Sequence, residues 1–73
     1  MKPIITIFEA IHKSGIERLS EFAEVRFAYG AGRADCLRLA SDSNAIIVKS
    51  VVQVDKELLD CSPLLRVVGR AGT

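Results

Sequence analysis

The sequence is poor in the residues that build disulfide frameworks, metal sites and nucleic-acid surfaces. Its 73 residues include two cysteines, one histidine, two prolines and no tryptophan. Cys36 and Cys61 are too few for a disulfide framework, and together with His12 they do not match the spacing of a zinc site. The formal net charge of +1, with scattered basic residues, gives no broad positive field that would draw the chain to nucleic acid.

Long apolar runs are missing as well. No segment approaches the ~20 apolar residues of a membrane-spanning helix, and Glu9 interrupts the apolar opening before it reaches the length of a signal peptide. We therefore expect no membrane partner, free thiols and a cytoplasmic location. The hydrophobic content of 49% is nevertheless too high for a disordered chain, so the sequence predicts one small folded domain.

Strand-like and helix-like patterns alternate along the chain. Short β-branched or aromatic runs predict strands at 4–8, 25–28, 45–48 and 66–68. Between them, apolar residues at three- and four-residue spacing predict three helices, and Asp55 is the expected N-cap of the third. The side chains expected to be buried by these helices are Ile16, Leu19, Phe22 and Ala23, then Cys36, Leu37 and Ala40, then Leu58 and Leu59.

This alternation favours an α/β fold with a mostly parallel sheet and helices on both faces. Right-handed crossovers leave few strand orders, and we predict a flavodoxin-like, three-layer α/β/α arrangement with the order 2-1-3-4. A ferredoxin-like antiparallel sheet is the alternative, but it needs half-exposed strands with clean alternation. The uniformly apolar run 45–48 does not show that alternation.

The predicted topology also selects a ligand edge, because ligands of open α/β sheets bind beyond the carboxyl ends of the strands. Strands three and four are neighbours in the predicted order, so Lys49 and Ser50 should lie beside Arg70, Gly72 and Thr73. Two cations, two hydroxyls and glycine backbone predict a site for a carboxylate or phosphate. The alternative is that these cations are simply solvated and that the glycines only turn the chain.

Two other candidate sites are less convincing. His12 follows strand one, but only Glu9 is near enough in sequence to orient it, so a role at the helix entry is favoured. The run from Gly30 to Asp35 imitates the dinucleotide pattern Gly-x-Gly-x-x-Gly, with Asp35 in place of the last glycine. No acidic residue follows about 20 positions later at a strand end. We therefore reject a dinucleotide site here.

The last five residues, Gly69 to Thr73, read Gly-Arg-Ala-Gly-Thr directly after a predicted strand. This stretch resembles a loop of the NAD-dependent D-2-hydroxyacid dehydrogenases, in particular the D-3-phosphoglycerate dehydrogenase branch, and the resemblance extends more faintly over the whole chain. It implies that 1–73 is a partial substrate-binding (catalytic) domain, truncated before the nucleotide-binding domain and the catalytic arginine, glutamate and histidine. The branch implies a parent enzyme that uses NAD and takes part in serine biosynthesis.

The resemblance also implies roles for individual residues. In the family, backbone amides of this loop help to hold the substrate carboxylate, and its threonine lies near the nicotinamide. Gly72 would then bind a 2-oxo or 2-hydroxy acid, Thr73 would lie near the cofactor, and Arg70 would serve either the substrate or domain packing. Lys49 and Ser50 stand where the family has an Arg-Ser-Ala-Thr-like stretch, and the lysine removes two-pronged anion binding.

We therefore expect a substrate-carboxylate-binding fragment that is inactive by itself. An incomplete domain would leave an open edge and part of an apolar face at strand four, so we also expect self-association there. The alternative is a free-standing, non-enzymatic flavodoxin-like module for binding or interaction. A receiver-like phosphoacceptor is disfavoured, because Lys49 and Ser50, rather than an aspartate, follow strand three.

Overall fold

The predicted alternation of strands and helices is present in a computed structural model, which describes residues 2–71. The strands are β1 (Ile4–Ile7), β2 (Glu24–Phe27), β3 (Ala45–Val48) and β4 (Val67–Arg70), and the helices are α1 (Lys13–Ser20), α2 (Arg33–Ala40) and α3 (Lys56–Asp60). All seven expected elements are found in the predicted order, with some ends shifted. Within residues 2–71, none of the helices has the length and apolar character required to cross a membrane.

The four strands form one parallel sheet in the order β2-β1-β3-β4, which confirms the predicted order 2-1-3-4. In this register Ile7 lies opposite Phe27 on one side and Ile47 on the other. Val48, the last residue of β3, lies opposite Arg70, the last residue of β4. The carboxyl ends of the strands therefore meet at one edge, and the loops that follow them are neighbours.

Helices cover both faces of the sheet, as the sequence predicts. On one face Phe8, Ile46 and Val48 pack with residues of α2 and α3, among them Cys36 and Leu58. On the other face the buried side chains of Ile5, Ile7 and Ala23 pack with half-buried apolar residues that include Ile16 and Leu19 of α1. Side chains of a strand alternate between faces, so β3 contributes to both apolar clusters, with Ile46 and Val48 on one face and Ala45 and Ile47 on the other.

Thr6 and Ser43 form a fully buried polar pair. The Ser43 hydroxyl donates to the carbonyl oxygen of Leu39 at 2.7 Å, and the two hydroxyl oxygens of Thr6 and Ser43 are 2.7 Å apart. Because Ser43 has a single hydroxyl proton, Thr6 must be the donor to Ser43. The pair thereby ties the end of α2 to the central strand β1.

Two side chains predicted to be buried are exposed instead. Phe22 is 57% exposed and Leu59 is 49% exposed. Phe22 lies beyond the last residue of α1, in a turn where its N–H donates to Leu19 at 3.2 Å, so the helical period no longer sets its direction. Leu59 follows Leu58 in a helix, where successive side chains point about 100° apart. Only Leu58 can therefore face the sheet from this five-residue helix.

The α1 side of the sheet is left open beside β4. An apolar groove of about 470 Å³ runs between α1 and β4, and Val67 on this edge is 59% exposed. The apolar residues that line the groove include Pro3, Ile5, Leu19, Phe22, Ala45, Ile47 and Val67. This exposure agrees with the open edge that was expected at the fourth strand.

A candidate anion-binding site at the carboxyl edge of the sheet

The loop that leaves β3 meets the end of β4 in a polar cleft. The N–H of Ala71 donates to the carbonyl oxygen of Val48 at 2.9 Å, which holds the ends of β3 and β4 side by side. Ser50 and Arg70 both line the resulting cleft of about 330 Å³. The other lining residues belong to the same loop: Val51, Val52, Gln53 and Val54. The structure thus brings together two of the residues that the sequence selected.

Lys49 contributes less directly than predicted. Its side chain is exposed and is not part of the cleft lining, although its backbone belongs to the same loop. Within residues 2–71, neither Lys49 nor Arg70 forms an ion pair, so both positive charges are available to an anion. Gly72 and Thr73, the other two predicted site residues, lie outside the described residues.

Glu9 is the residue of this site to which the sequence analysis gave no role in anion binding. It follows β1, and its carboxylate accepts four backbone N–H groups from the loop after β3. Lys49 and Val52 donate to Oε2 at 2.5 and 3.3 Å, and Ser50 and Val51 donate to Oε1 at 3.3 and 3.0 Å. Consecutive N–H groups that converge in this way form an anion-binding nest. The signal in the sequence was an acidic residue at the carboxyl end of the central strand, on the ligand edge.

The nest stabilises the ionised form of Glu9. Desolvation raises the pKa of this carboxyl, but the hydrogen bonds from Lys49, Val51, Val52 and Ser50 lower it, and the net pKa lies below the ordinary value of 4.5. Glu9 is therefore ionised at neutral pH. Its carboxylate engages the four amides, so these N–H groups are not available to an incoming anion.

The far end of the same loop is held by Arg33, the first residue of α2. Its guanidinium donates to the carbonyl oxygen of Gln53 at 3.0 Å, to Asp55 at 2.5 Å and to Glu57 at 3.0 Å. Asp55 also accepts the N–H of Leu58 at 3.1 Å, which confirms the predicted N-cap. The hydrogen bond from the N–H of Leu58 is the main cause that keeps the pKa of Asp55 below its ordinary value. The hydrogen bond from Arg33 is the second cause. The loop is thus anchored by Glu9 at its start and by Arg33 at its end.

The surroundings of α2 do not fit a dinucleotide. Gly30 has a positive φ of 72°, and Gly32 is the N-cap of α2, as in a phosphate-binding turn. However, Asp35 lies in the first turn, and the Asp55 and Glu57 carboxylates are bound to Arg33 beside it. Negative charge there opposes the pyrophosphate that such a helix start would have to hold. We therefore assign no step of a reaction to a cofactor at this turn.

His12 is engaged at the start of α1. Its Nδ1 accepts the N–H of Ser14 at 3.1 Å and lies 2.8 Å from the Ser14 hydroxyl, so this imidazole serves as the helix N-cap. This agrees with the favoured role at the helix entry. Among residues 2–71, no three His, Cys, Asp or Glu side chains are grouped so as to hold a metal ion.

An open parallel sheet with helices on both faces and a polar cleft at its carboxyl edge defines an α/β domain of the doubly wound class. The family model described as "D-isomer specific 2-hydroxyacid dehydrogenase, catalytic domain" matches residues 5–73. The chain belongs to the D-isomer specific 2-hydroxyacid dehydrogenase family.

Curated relatives are consistent with this assignment and with the resemblance to the D-3-phosphoglycerate dehydrogenase branch. The D-3-phosphoglycerate dehydrogenase of Mycobacterium leprae is 33% identical over 70 residues, which are 96% of this chain and 13% of that protein. The chloroplastic D-3-phosphoglycerate dehydrogenase 2 of Arabidopsis thaliana is 35% identical over 72 residues, which are 97% of this chain and 12% of that protein. The chain therefore spans only a small part of the length of these relatives.

Solved structures share the fold. The PH0520 protein from Pyrococcus horikoshii OT3 has a TM-score of 0.88 at 18% identity, over 96% of this chain and 21% of that one. The NAD+-bound 3-phosphoglycerate dehydrogenase of Entamoeba histolytica has a TM-score of 0.81 at 20% identity, over 100% of this chain and 26% of that one. At these identities the likeness establishes the fold alone.

Proposed function

We propose that this chain is part of the substrate-binding domain of a D-2-hydroxyacid dehydrogenase resembling D-3-phosphoglycerate dehydrogenase, and that it binds the carboxylate of a 2-hydroxy or 2-oxo acid. The observation that carries the proposal is the polar cleft shared by Ser50 and Arg70. The cleft lies where the fold class binds its ligands, at the carboxyl ends of adjacent strands. Membership of the family supports the substrate class.

Each proposed residue has a chemical task that suits its side chain. The Arg70 guanidinium can donate two parallel hydrogen bonds to a carboxylate, and the Ser50 hydroxyl can donate one. Lys49 adds a point charge at the rim, without the guanidinium's two-pronged geometry. In this proposal the backbone of Gly72 also contacts the carboxylate, and Thr73 lies near the nicotinamide of the cofactor.

The proposal assigns binding, and not hydride transfer, to this chain. In the whole enzyme NAD would accept the hydride from the C2 carbon of the hydroxy acid, and we assign no residue of 2–71 to its binding. The turn before α2 is too acidic for a dinucleotide, and Nδ1 of His12 caps a helix. We therefore expect no turnover by these 73 residues alone. Measurable oxidation of NADH with hydroxypyruvate by the purified chain would contradict this part of the proposal.

A titration of the isotope-labelled chain, observed by amide chemical shifts, tests the binding site. Hydroxypyruvate and phosphohydroxypyruvate should shift the resonances of Ser50, Arg70 and Ala71, and the preference between them reports the substrate branch. Arg70→Gln should abolish these shifts. Arg66→Gln is the matched control, because Arg66 precedes the same strand at the opposite edge of the sheet and should leave the titration unchanged.

The titration also separates the non-enzymatic alternative. A non-enzymatic binding module has no reason to prefer a 2-oxo acid to inorganic phosphate. Equal responses to phosphate and hydroxypyruvate, or equal effects of the Arg66 and Arg70 substitutions, would favour that alternative. A response confined to 2-oxo and 2-hydroxy acids would favour the dehydrogenase site.

A further inference from the structure

Glu9 places a negative charge beside a cleft that is proposed to bind an anion. Its carboxylate bonds to the N–H groups of Ser50 and Val51, and both of these residues line the cleft. A like charge this close lowers the affinity for an anionic ligand. If the cleft binds an anion, Glu9 must therefore favour binding in another way, through a contribution that outweighs this repulsion.

Control of the loop conformation is such a contribution. Residues 49–52 belong to no helix or strand. Within residues 2–71, none of their N–H groups donates to a backbone carbonyl oxygen. Glu9 is instead the acceptor for all four. Each of its two oxygens accepts two N–H groups, so one side chain in the loop after β1 determines the path of four successive residues.

This path places Ser50 in the cleft that Arg70 also lines. Arg70 is positioned by the sheet, because its strand partner is Val48 and the N–H of Ala71 bonds to Val48. Ser50 lies two residues beyond Val48, in the irregular loop, and its own N–H is bound by Glu9. The two sides of the cleft are therefore fixed by different means, one by the sheet and the other by the carboxylate.

We infer that Glu9 is a positioning residue for the anion site: its carboxylate fills the amide nest of residues 49–52 and thereby holds Ser50 in the cleft with Arg70. The inference deepens the proposed function and rests on it for the ligand. The occupied nest itself can be tested without that ligand. A purely electrostatic role for Glu9 predicts the opposite sign, since removal of a negative charge would tighten anion binding.

The first experiment asks whether the nest is a carboxylate receptor. Glu9→Ala removes a CH2–COO⁻ group, which acetate matches in size. In this variant we expect faster amide hydrogen exchange at residues 49–52, and added acetate should restore slow exchange and the wild-type chemical shifts there. Wild-type protein and Glu17→Ala should not respond to acetate at these amides, because Glu17 is an exposed residue of α1 that pairs with Lys13. Unchanged exchange in a folded Glu9→Ala variant would overturn the inference.

The second experiment uses Glu9→Gln, which keeps the shape but offers one acceptor oxygen in place of two. We expect hydroxypyruvate binding to weaken several-fold, and acetate should restore the affinity in Glu9→Ala. Unchanged or tighter binding with undisturbed amides at 49–52 would overturn the inference. If wild-type protein does not bind hydroxypyruvate, the proposed function fails, while the acetate response still decides whether Glu9 occupies the nest. If Glu9→Ala does not fold, exchange in Glu9→Gln decides the same point.

Discussion

The buried pair of Thr6 and Ser43 makes a quantitative prediction about stability. Ser43→Ala removes the hydrogen bond to the Leu39 carbonyl and the one accepted from Thr6, and it leaves both of those groups without a partner. The Thr6 hydroxyl is buried and the Leu39 carbonyl is part-buried, and a buried polar group without a partner costs about 1–3 kcal/mol. We therefore expect Ser43→Ala to lower the free energy of unfolding by about 3 kcal/mol. A chain of 73 residues has a total of about 4–11 kcal/mol, so the loss is large.

Thr6→Val should cost less, because it removes one hydrogen bond and retains the shape of the side chain. Ser43 can still donate to Leu39, so only its accepted bond is lost, at about 1 kcal/mol. The double variant should be less destabilised than the sum of the single variants, by about 1 kcal/mol, since no Thr6 hydroxyl is left unpaired.

Urea unfolding followed by circular dichroism measures all three variants. The slope of the free energy against urea concentration must be the same in each for the comparison to hold. A Thr6→Val variant as unstable as Ser43→Ala would refute the assigned direction of the hydrogen bond. Strict additivity of the two substitutions would refute the coupling between the hydroxyls.

Three further predictions concern charge, pH and association. Arg33→Gln should loosen the end of the loop that Glu9 does not hold, which faster amide exchange at Gln53 and Leu58 would report, with Arg38→Gln as the exposed control on α2. The pKa values of Glu9 and Asp55 are lowered in the folded state, so their contribution to stability is present above 4.5 and 3.8 and is lost as the pH falls below those values. Glu9→Gln combined with Asp55→Asn should flatten the acid limb of a plot of urea midpoint against pH, and an unchanged limb would contradict the assignment. We expect the wild-type chain to self-associate through the open β4 edge and groove, and Val67→Lys should shift it to monomer in sedimentation velocity. Leu64→Lys is the control, because Leu64 is outside the groove lining and its substitution should leave the association unchanged. A monomeric wild-type chain would refute the prediction.

The fold could be predicted because each element carries its own pattern. Strands as apolar as Ala45–Val48 cannot lie at a solvated surface, and the helices between them leave the parallel order 2-1-3-4 as the simplest solution. The predictions failed where periodicity stops being informative. Phe22 lies in the turn after α1, and Leu59 shares a helix of five residues with Leu58, so the helical period could not assign either side chain to the core.

The candidate site was predictable only in its side chains. Ser50 and Arg70 were selected because the topology places the ends of β3 and β4 next to each other, and the cleft contains both. The role of Glu9 was not predictable in the same way. Its partners are the backbone N–H groups of residues 49–52, and every residue except proline has such a group. A nest of this kind depends on backbone conformation and leaves almost no trace in the identities of the residues that form it.

The occupation of that nest also bears on how a substrate is chosen. Backbone amides present the same donors whatever the sequence. A site built on them recognises charge and shape, but side-chain substitutions change its ligand preference very little. Here the amides of 49–52 are engaged by Glu9. In the proposed site, discrimination between ligands therefore falls to the side chains of Ser50 and Arg70 in the cleft and of Lys49 beside it. A lysine contributes a strongly hydrated point charge with no preferred plane, whereas an arginine favours flat, two-oxygen ligands. Lys49→Arg should thus strengthen binding of a phosphorylated or doubly anionic acid more than that of hydroxypyruvate, and equal gains for both ligands in the shift titration would show that position 49 supplies only charge.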